Sequence, residues 1–209
     1  MKIVIFDMDG TLLDSKKDIT ISVNYIRKLH HNLEPLSEEY IVEVINMEDR
    51  NLSKLFYDTD IYLEKDRKLF EVHYKQQCIK NPYLYDGIFK LLKNLKESNV
   101  KLSVATNAPT KFAIMMLTHL KIIDMFDMVI GSDKVTLSKP NPEMIDKILE
   151  FYSFDKVKHK AWMVGDSYKD MKSAENAGIE SIFALWGFTL ETTHKIKFYK
   201  PMDIINIVL

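Results

Sequence analysis

The chain has 209 residues, of which 46% are hydrophobic and 28% charged, and its formal net charge is -1. That composition supports a packed core and argues against disorder. The near-zero charge offers no long-range field to draw the protein to nucleic acid or to anionic lipid, so neither is expected as a partner. The single cysteine, Cys78, rules out an intrachain disulfide and suits a reducing cytoplasm, the expected compartment. The apolar run before Asp7, Ile3 to Phe6, is too short for a signal-peptide core, and no later run is long enough to span a bilayer. A monomer or small homo-oligomer is expected.

Ile3, Val4, Ile5 and Phe6 form an unbroken, mostly β-branched run that predicts a strand buried on both faces of a parallel sheet. Asp7, Met8, Asp9 and Gly10 follow at once, and Gly10 lets the chain turn away at little steric cost. Asp and Gly are also ordinary turn residues. Ile19, Val23, Ile26, Leu29 and Leu33 then recur at helical spacing until Pro35. Ser37 is a candidate N-cap for a second helix with Tyr40, Ile41, Val44 and Ile45 on its apolar face. Leu52, Leu55 and Phe56 predict a third helix, and Leu69, Phe70, His73 and Tyr74 a fourth, closed by Pro82. Residues 16–82 therefore read as an all-helical insertion.

From Asp86 the pattern alternates. A helix carries Ile88, Leu91, Leu92 and Leu95; a strand spans 102–105; Asn107 and Pro109 open a helix. A strand over 128–130 precedes a helix begun by Asn141 and Pro142, and a strand over 161–164 precedes a helix over 167–177, stopped by Gly178. A fifth strand is expected over 181–186, and a closing helix over 201–208. Strands alternating with helices predict an α/β fold, a doubly wound parallel sheet. Its segments would be 1–15 and 83–209, with 16–82 as a small α-helical domain inserted in it. Ligands in such sheets bind beyond the carboxyl ends of the strands. Adjacent His30 and His31 should sit on different faces of their helix, and none of the six histidines has metal or triad spacing.

The string F-D-M-D-G-T-L-L-D-S, residues 6–15, resembles the first motif of the haloacid dehalogenase superfamily, in its phosphatase branch. Three further matches follow in order: Thr106 and Asn107 in S-V-A-T-N-A, Lys139 in S-K-P-N-P-E, and Asp166, Ser167 and Asp170 in G-D-S-Y-K-D. The helical insertion, Pro82 to Gly87 and the string W-G-F at 186–188 resemble the phosphoglycolate-phosphatase-like subgroup with its helical cap. The string I-N-M-E-D-R-N, residues 45–51, lacks the subgroup's usual glycine, which argues against phosphoglycolate itself as substrate.

The resemblance implies a Rossmann-like core and a magnesium-dependent phosphatase acting on a small phosphorylated metabolite. It makes Asp7 the nucleophile and Asp9 the general acid and base. Asp7, the Asp9 main-chain carbonyl and Asp166 would hold Mg2+, with Asp170 either ligating it indirectly or orienting Lys139. Thr106, Asn107 and Lys139 would bind the phosphoryl group. The physical logic agrees: clustered aspartates repel, and a hard divalent cation relieves them. The three arginines, Arg27, Arg50 and Arg67, all fall in the insertion. Arg50 is the candidate clamp for a second anionic group on the substrate, with a solvated loop arginine as the equal alternative. Arg67, in a charged run, is expected on the surface. A sugar phosphomutase of the same subgroup would carry the same motifs; a catalytically inactive binding or regulatory protein would not need both Asp7 and Asp9.

Overall fold

The computed structural model describes residues 1–47 and 50–209. In chain order the elements are β1 (Lys2–Phe6), β2 (Leu13–Asp14), α1 (Lys16–His31), α2 (Glu38–Asn46), α3 (Leu52–Tyr57), α4 (Glu64–Gln77), β3 (Tyr83–Leu84) and α5 (Ile88–Glu97). There follow β4 (Lys101–Ala105), α6 (Thr110–His119), β5 (Met128–Ile130), α7 (Glu143–Phe151), β6 (Lys160–Gly165), α8 (Tyr168–Ala177), β7 (Glu180–Ala184), β8 (Lys197–Phe198) and α9 (Ile205–Val208). The chain divides into two compact units, Met1–Asp14 with Tyr83–Leu209, and Ser15–Pro82.

The first unit is built on a six-stranded sheet in the order β5-β4-β1-β6-β7-β8, with every pairing parallel. The chain starts in the middle, winds to one edge through β4 and β5, then returns to the other side of β1 with β6. The switch lies between β1 and β6, where the crevice for a ligand opens in such sheets. Ile3, Val4, Ile5 and Phe6 are fully buried, as the unbroken apolar run requires of a central strand covered on both faces. Their partners are mostly of the same kind: Ile5 lies opposite Met163 and the buried Ser103, and Phe6 opposite Val104 and Val164. On one face Ile3, Ile5 and Met163 pack against Ile145, Ile148 and Leu149 of α7 and Ala174 of α8. Burial of a row of such side chains is worth roughly 1.5–3 kcal/mol each before chain entropy is subtracted.

The fifth strand ends at Ala184, so Leu185 and Trp186 are turn residues, and a sixth strand, β8, pairs at the edge. Lys197 and Phe198 are too short a run to carry a periodicity. The same holds for β2 and β3, an antiparallel ribbon joining Leu13 to Leu84 and Asp14 to Tyr83, where the chain leaves and re-enters this unit. The closing segment begins as a 3-10 turn, Pro201–Ile204, before α9.

Among the described residues the second unit is four helices around Val23, Ile26, Ile41, Val44, Phe56 and Tyr57. Leu29, predicted for the buried stripe, is 58% exposed, and Leu33 lies beyond the helix, which ends at His31 with Asn32 in the left-handed conformation. Arg67 pairs with Glu64 on the surface. His30 and His31 do not diverge. The two rings reach the fully buried Asp66 through different nitrogens, His30 Nδ1 to Oδ1 at 2.7 Å and His31 Nε2 to Oδ2 at 2.9 Å. Residues 100° apart on a helix can share one carboxylate when it lies between them.

Asp18, buried in the first turn of α1, binds the far end of the same unit. Its carboxylate accepts from Gln77 Nε2 at 2.7 Å, Asn81 N at 3.0 Å and Asn81 Nδ2 at 2.6 Å. Truncation would leave three donors unsatisfied. Asp18→Ala is expected to cost about 2–4 kcal/mol of stability, read from the urea midpoint, and Asp18→Asn less.

Candidate active site

Parallel strands deliver their last residues to one edge, and the candidate residues are those that follow. Asp7 extends β1 by one rung, its N–H donating to Val164 O at 2.8 Å. Thr106 extends β4 in the same way, donating to Ile130 O at 2.9 Å. Asp166 follows β6, and Lys139 stands in the segment between β5 and α7.

Lys139 sits at the centre. Its Nζ donates to Asp7 Oδ1 at 2.7 Å and to Asp170 Oδ1 at 2.6 Å, and the three side chains are buried. Asn107 exchanges two 3.0 Å hydrogen bonds with the Lys139 main chain, Nδ2 donating to its carbonyl and Oδ1 accepting its N–H. Asn107 thereby fixes where the lysine starts, and one Nδ2 hydrogen remains for a substrate. The Lys139–Pro140 peptide is cis. Thr106 Oγ1 accepts the Ala108 N–H at 3.1 Å, which leaves its own proton to donate. Asp9 is half-buried in the turn that follows Asp7.

Asp170 is the N3 residue of α8. Its Oδ2 accepts from the main-chain N–H of Ser167 at 3.1 Å and from Ser167 Oγ at 2.6 Å. A capping box holds this carboxylate, so that Oδ1 presents to Lys139. The S-x-x-D spacing of such a box is visible in the sequence. Asp166 is held differently: Oδ2 accepts the Phe188 N–H at 2.8 Å, and Thr11 Oγ1 stands 3.5 Å from Oδ1. Nothing in the sequence pattern pairs Thr11 or Phe188 with Asp166. Gly10, at φ 84°, is required twice over, since a Cβ there would lie 2.3 Å from Asp166 Oδ2.

Oxygen atoms of Asp7, Asp166 and Asp170 lie within 4.8 Å of one another. Burial foremost, then repulsion from Asp170 and Asp9, pushes the Asp7 carboxyl up to about 7 against the pull of Lys139. Burial, and then Asp7 and Asp170, drive Asp166 well above the usual carboxylate range. Burial alone would lower Lys139, but Asp170 and Asp7 outweigh it and hold the ammonium charged. Three carboxylates against one ammonium leave two negative charges in excess when all are ionised. Buried, hard-oxygen donors with that charge deficit fit a divalent cation such as Mg2+.

Arg50 belongs to the helical unit. Burial lowers its guanidinium from the ordinary value, and its Nη1 is buried without a hydrogen-bond partner among the described residues. The glycine-less loop noted in the sequence includes residues 48 and 49, which lie outside the described residues.

The comparisons agree with this architecture. The family model of the haloacid dehalogenase-like hydrolases matches residues 4–184. A phosphoglycolate phosphatase of Aquifex aeolicus is 28% identical, over 100% of this chain and 97% of its own length. An N-acetylmuramic acid 6-phosphate phosphatase of Pseudomonas aeruginosa is 28% identical, over 90% of this chain and 83% of its own. The crystal structure of a predicted phosphoglycolate phosphatase from Haemophilus somnus superposes with a TM-score of 0.85 at 25% identity, over 99% and 97% of the two chains. With four motifs delivered to one edge of a doubly wound sheet and a family match spanning both units, the chain belongs to the haloacid dehalogenase-like hydrolases.

Proposed function

We propose that the protein is a magnesium-dependent phosphomonoester hydrolase acting on a small phosphorylated metabolite through an aspartyl-phosphate. The observation that carries this reading is the buried Asp7 carboxylate, bound to Lys139 and grouped with Asp166 and Asp170. In the first step an Asp7 oxygen forms a bond to phosphorus while the bond to the leaving oxygen breaks, and Asp9 gives that oxygen its proton. In the second step Asp9 takes a proton from water, the water oxygen bonds to phosphorus, and the Asp7–phosphorus bond breaks to release inorganic phosphate. Lys139 and Thr106 donate to the non-bridging oxygens, and Asp170 keeps Lys139 aimed and charged. Asp7, Asp166 and the Asp9 main-chain carbonyl would hold Mg2+, assisted by Asp170, and the ion would neutralise charge on the transferring group. Arg50 is the clamp for a second anionic group of the substrate. Its buried, unsatisfied guanidinium nitrogen favours that reading over a solvated loop residue.

The raised Asp7 pKa fixes a pH signature. At Asp7 the folded, metal-free protein binds more protons than the unfolded chain between the ordinary 3.8 and about 7. The contribution of Asp7 to stability should therefore fall as pH rises through that window. Mg2+ displaces those protons, so the rise in melting temperature on adding it should be small near pH 5 and large above pH 7. A magnesium shift that shrinks with rising pH would contradict the site.

Asp7→Asn should abolish turnover and trap no phosphate. Asp9→Asn should give a burst of p-nitrophenol from p-nitrophenyl phosphate, whose leaving group needs no acid, followed by turnover slowed ~10²–10⁴-fold. Acid-quenched Asp9→Asn should carry protein-bound phosphate with this substrate and show no burst with an alkyl phosphate. Phosphate trapped on Asp7→Asn would reverse the roles.

A panel of phosphorylated metabolites, including phosphosugars and 2-phosphoglycolate, identifies the substrate. Arg50→Ala should raise KM for that substrate roughly tenfold, the scale of a lost charged hydrogen bond, and leave KM for p-nitrophenyl phosphate nearly unchanged. Equal effects on the two would remove the clamp.

A further inference from the structure

Asp166 is 1% exposed, and a carboxylate so buried is placed by whatever donates to it. Its Oδ2 accepts the Phe188 N–H at 2.8 Å. Two residues earlier, the Trp186 indole N–H donates to the main-chain carbonyl of Thr11 at 2.9 Å. Thr11 is the residue whose hydroxyl stands 3.5 Å from the other Asp166 oxygen, at the outer limit of a hydrogen bond. A single short segment beyond β7 therefore touches Asp166 directly and also ties down the turn on its far side.

Gly187, between the two donors, leaves no slack. A Cβ at this position would lie 1.9 Å from Gly10 O and 2.7 Å from Asp166 Cβ. No left-handed backbone is involved, so the requirement for glycine here is one of space. The Gly10 turn, the Asp166 carboxylate and the 186–188 segment are in van der Waals contact as one interlocked block.

We propose that the Trp186–Gly187–Phe188 strap is the device that positions Asp166 for a divalent cation, with Trp186 as a positioning residue that sets metal affinity. This rests on the metal reading above. Mg2+ demands near-ideal octahedral geometry and tolerates a displaced carboxylate poorly, so a small loosening should be felt as lost affinity. Neither the indole nor the Phe188 amide touches the reacting atoms. Their effect on turnover runs through the metal alone.

The test compares wild type with Trp186→Phe, which keeps an aromatic ring and deletes the donor to Thr11. Equilibrium binding of Mg2+, and of Mn2+ as a tighter probe, is measured by calorimetry at matched folded fraction. The dissociation constant should rise about tenfold or more, the range for an outer-shell partner, while the melting temperature in chelator moves little. The half-saturating Mg2+ concentration for p-nitrophenyl phosphate hydrolysis should rise by the same factor, with kcat restored at saturating metal. Gly187→Ala leaves the indole intact but forces the strap off Gly10 and Asp166. It should weaken metal binding further, and it carries the test should Trp186→Phe fold poorly. A wild-type dissociation constant in the folded fraction of both variants would overturn the proposal, because a merely structural strap lowers the amount of folded protein and leaves its affinity alone. Wild type that binds no divalent metal would instead overturn the metal reading, and the strap proposal with it.

Discussion

The structure of the core depends on one buried ammonium. Lys139 Nζ lies between Asp7 and Asp170 at 2.7 and 2.6 Å, out of reach of bulk water. A buried charge is expensive unless it is paired and hydrogen-bonded, and removal of one partner strands the other. Each member is accordingly anchored from a different element. Asp7 is the first residue past the central strand, Asp170 is locked by the Ser167 capping box, and the lysine main chain is stitched to Asn107 at the end of β4. Strands that are far apart in sequence must be adjacent in the sheet for this to hold.

The same geometry leaves the cluster short of positive charge. Asp166 adds a third carboxylate, and burial pushes both it and Asp7 toward the protonated form. Buried carboxylates short of positive charge mark this cluster as the candidate ligand site. Around Gly10 the backbone packs so closely that no Cβ fits beside the Asp166 carboxylate.

A phosphoglycolate phosphatase and an N-acetylmuramic acid 6-phosphate phosphatase match this chain at the same 28% identity. The helical unit has its own core around Ile26, Ile41 and Phe56, and can therefore change its surface without disturbing the sheet. Of the three arginines, Arg27 donates to the main-chain carbonyls of Glu34 and Phe56 and Arg67 pairs with Glu64, whereas Arg50 keeps a buried Nη1 without a hydrogen-bond partner among the described residues.

The sequence by itself determined the sheet's composition, the helical character of 16–82 and the short list of residues at strand ends. These follow from local pattern: a β-branched run is buried on both sides, and polar residues stop it. The edge strand Lys197–Phe198 and the ribbon of Leu13–Asp14 with Tyr83–Leu84 were not legible, because two residues carry no period and their pairing is decided by the sheet they join. Nor was the convergence of His30 and His31 on Asp66, which depends on where a residue 35 positions away is packed. At the candidate site the residue types were readable and the pairings were not, apart from Asp170 with Lys139, which the resemblance offered as one of two roles. That Asn107 holds the lysine's main chain, and that Trp186 and Phe188 reach back 175 and 22 residues to Thr11 and Asp166 are decided only when the strands take their order. Side-chain identity is a local property of the chain, whereas a hydrogen bond between distant residues exists only once packing has fixed both ends.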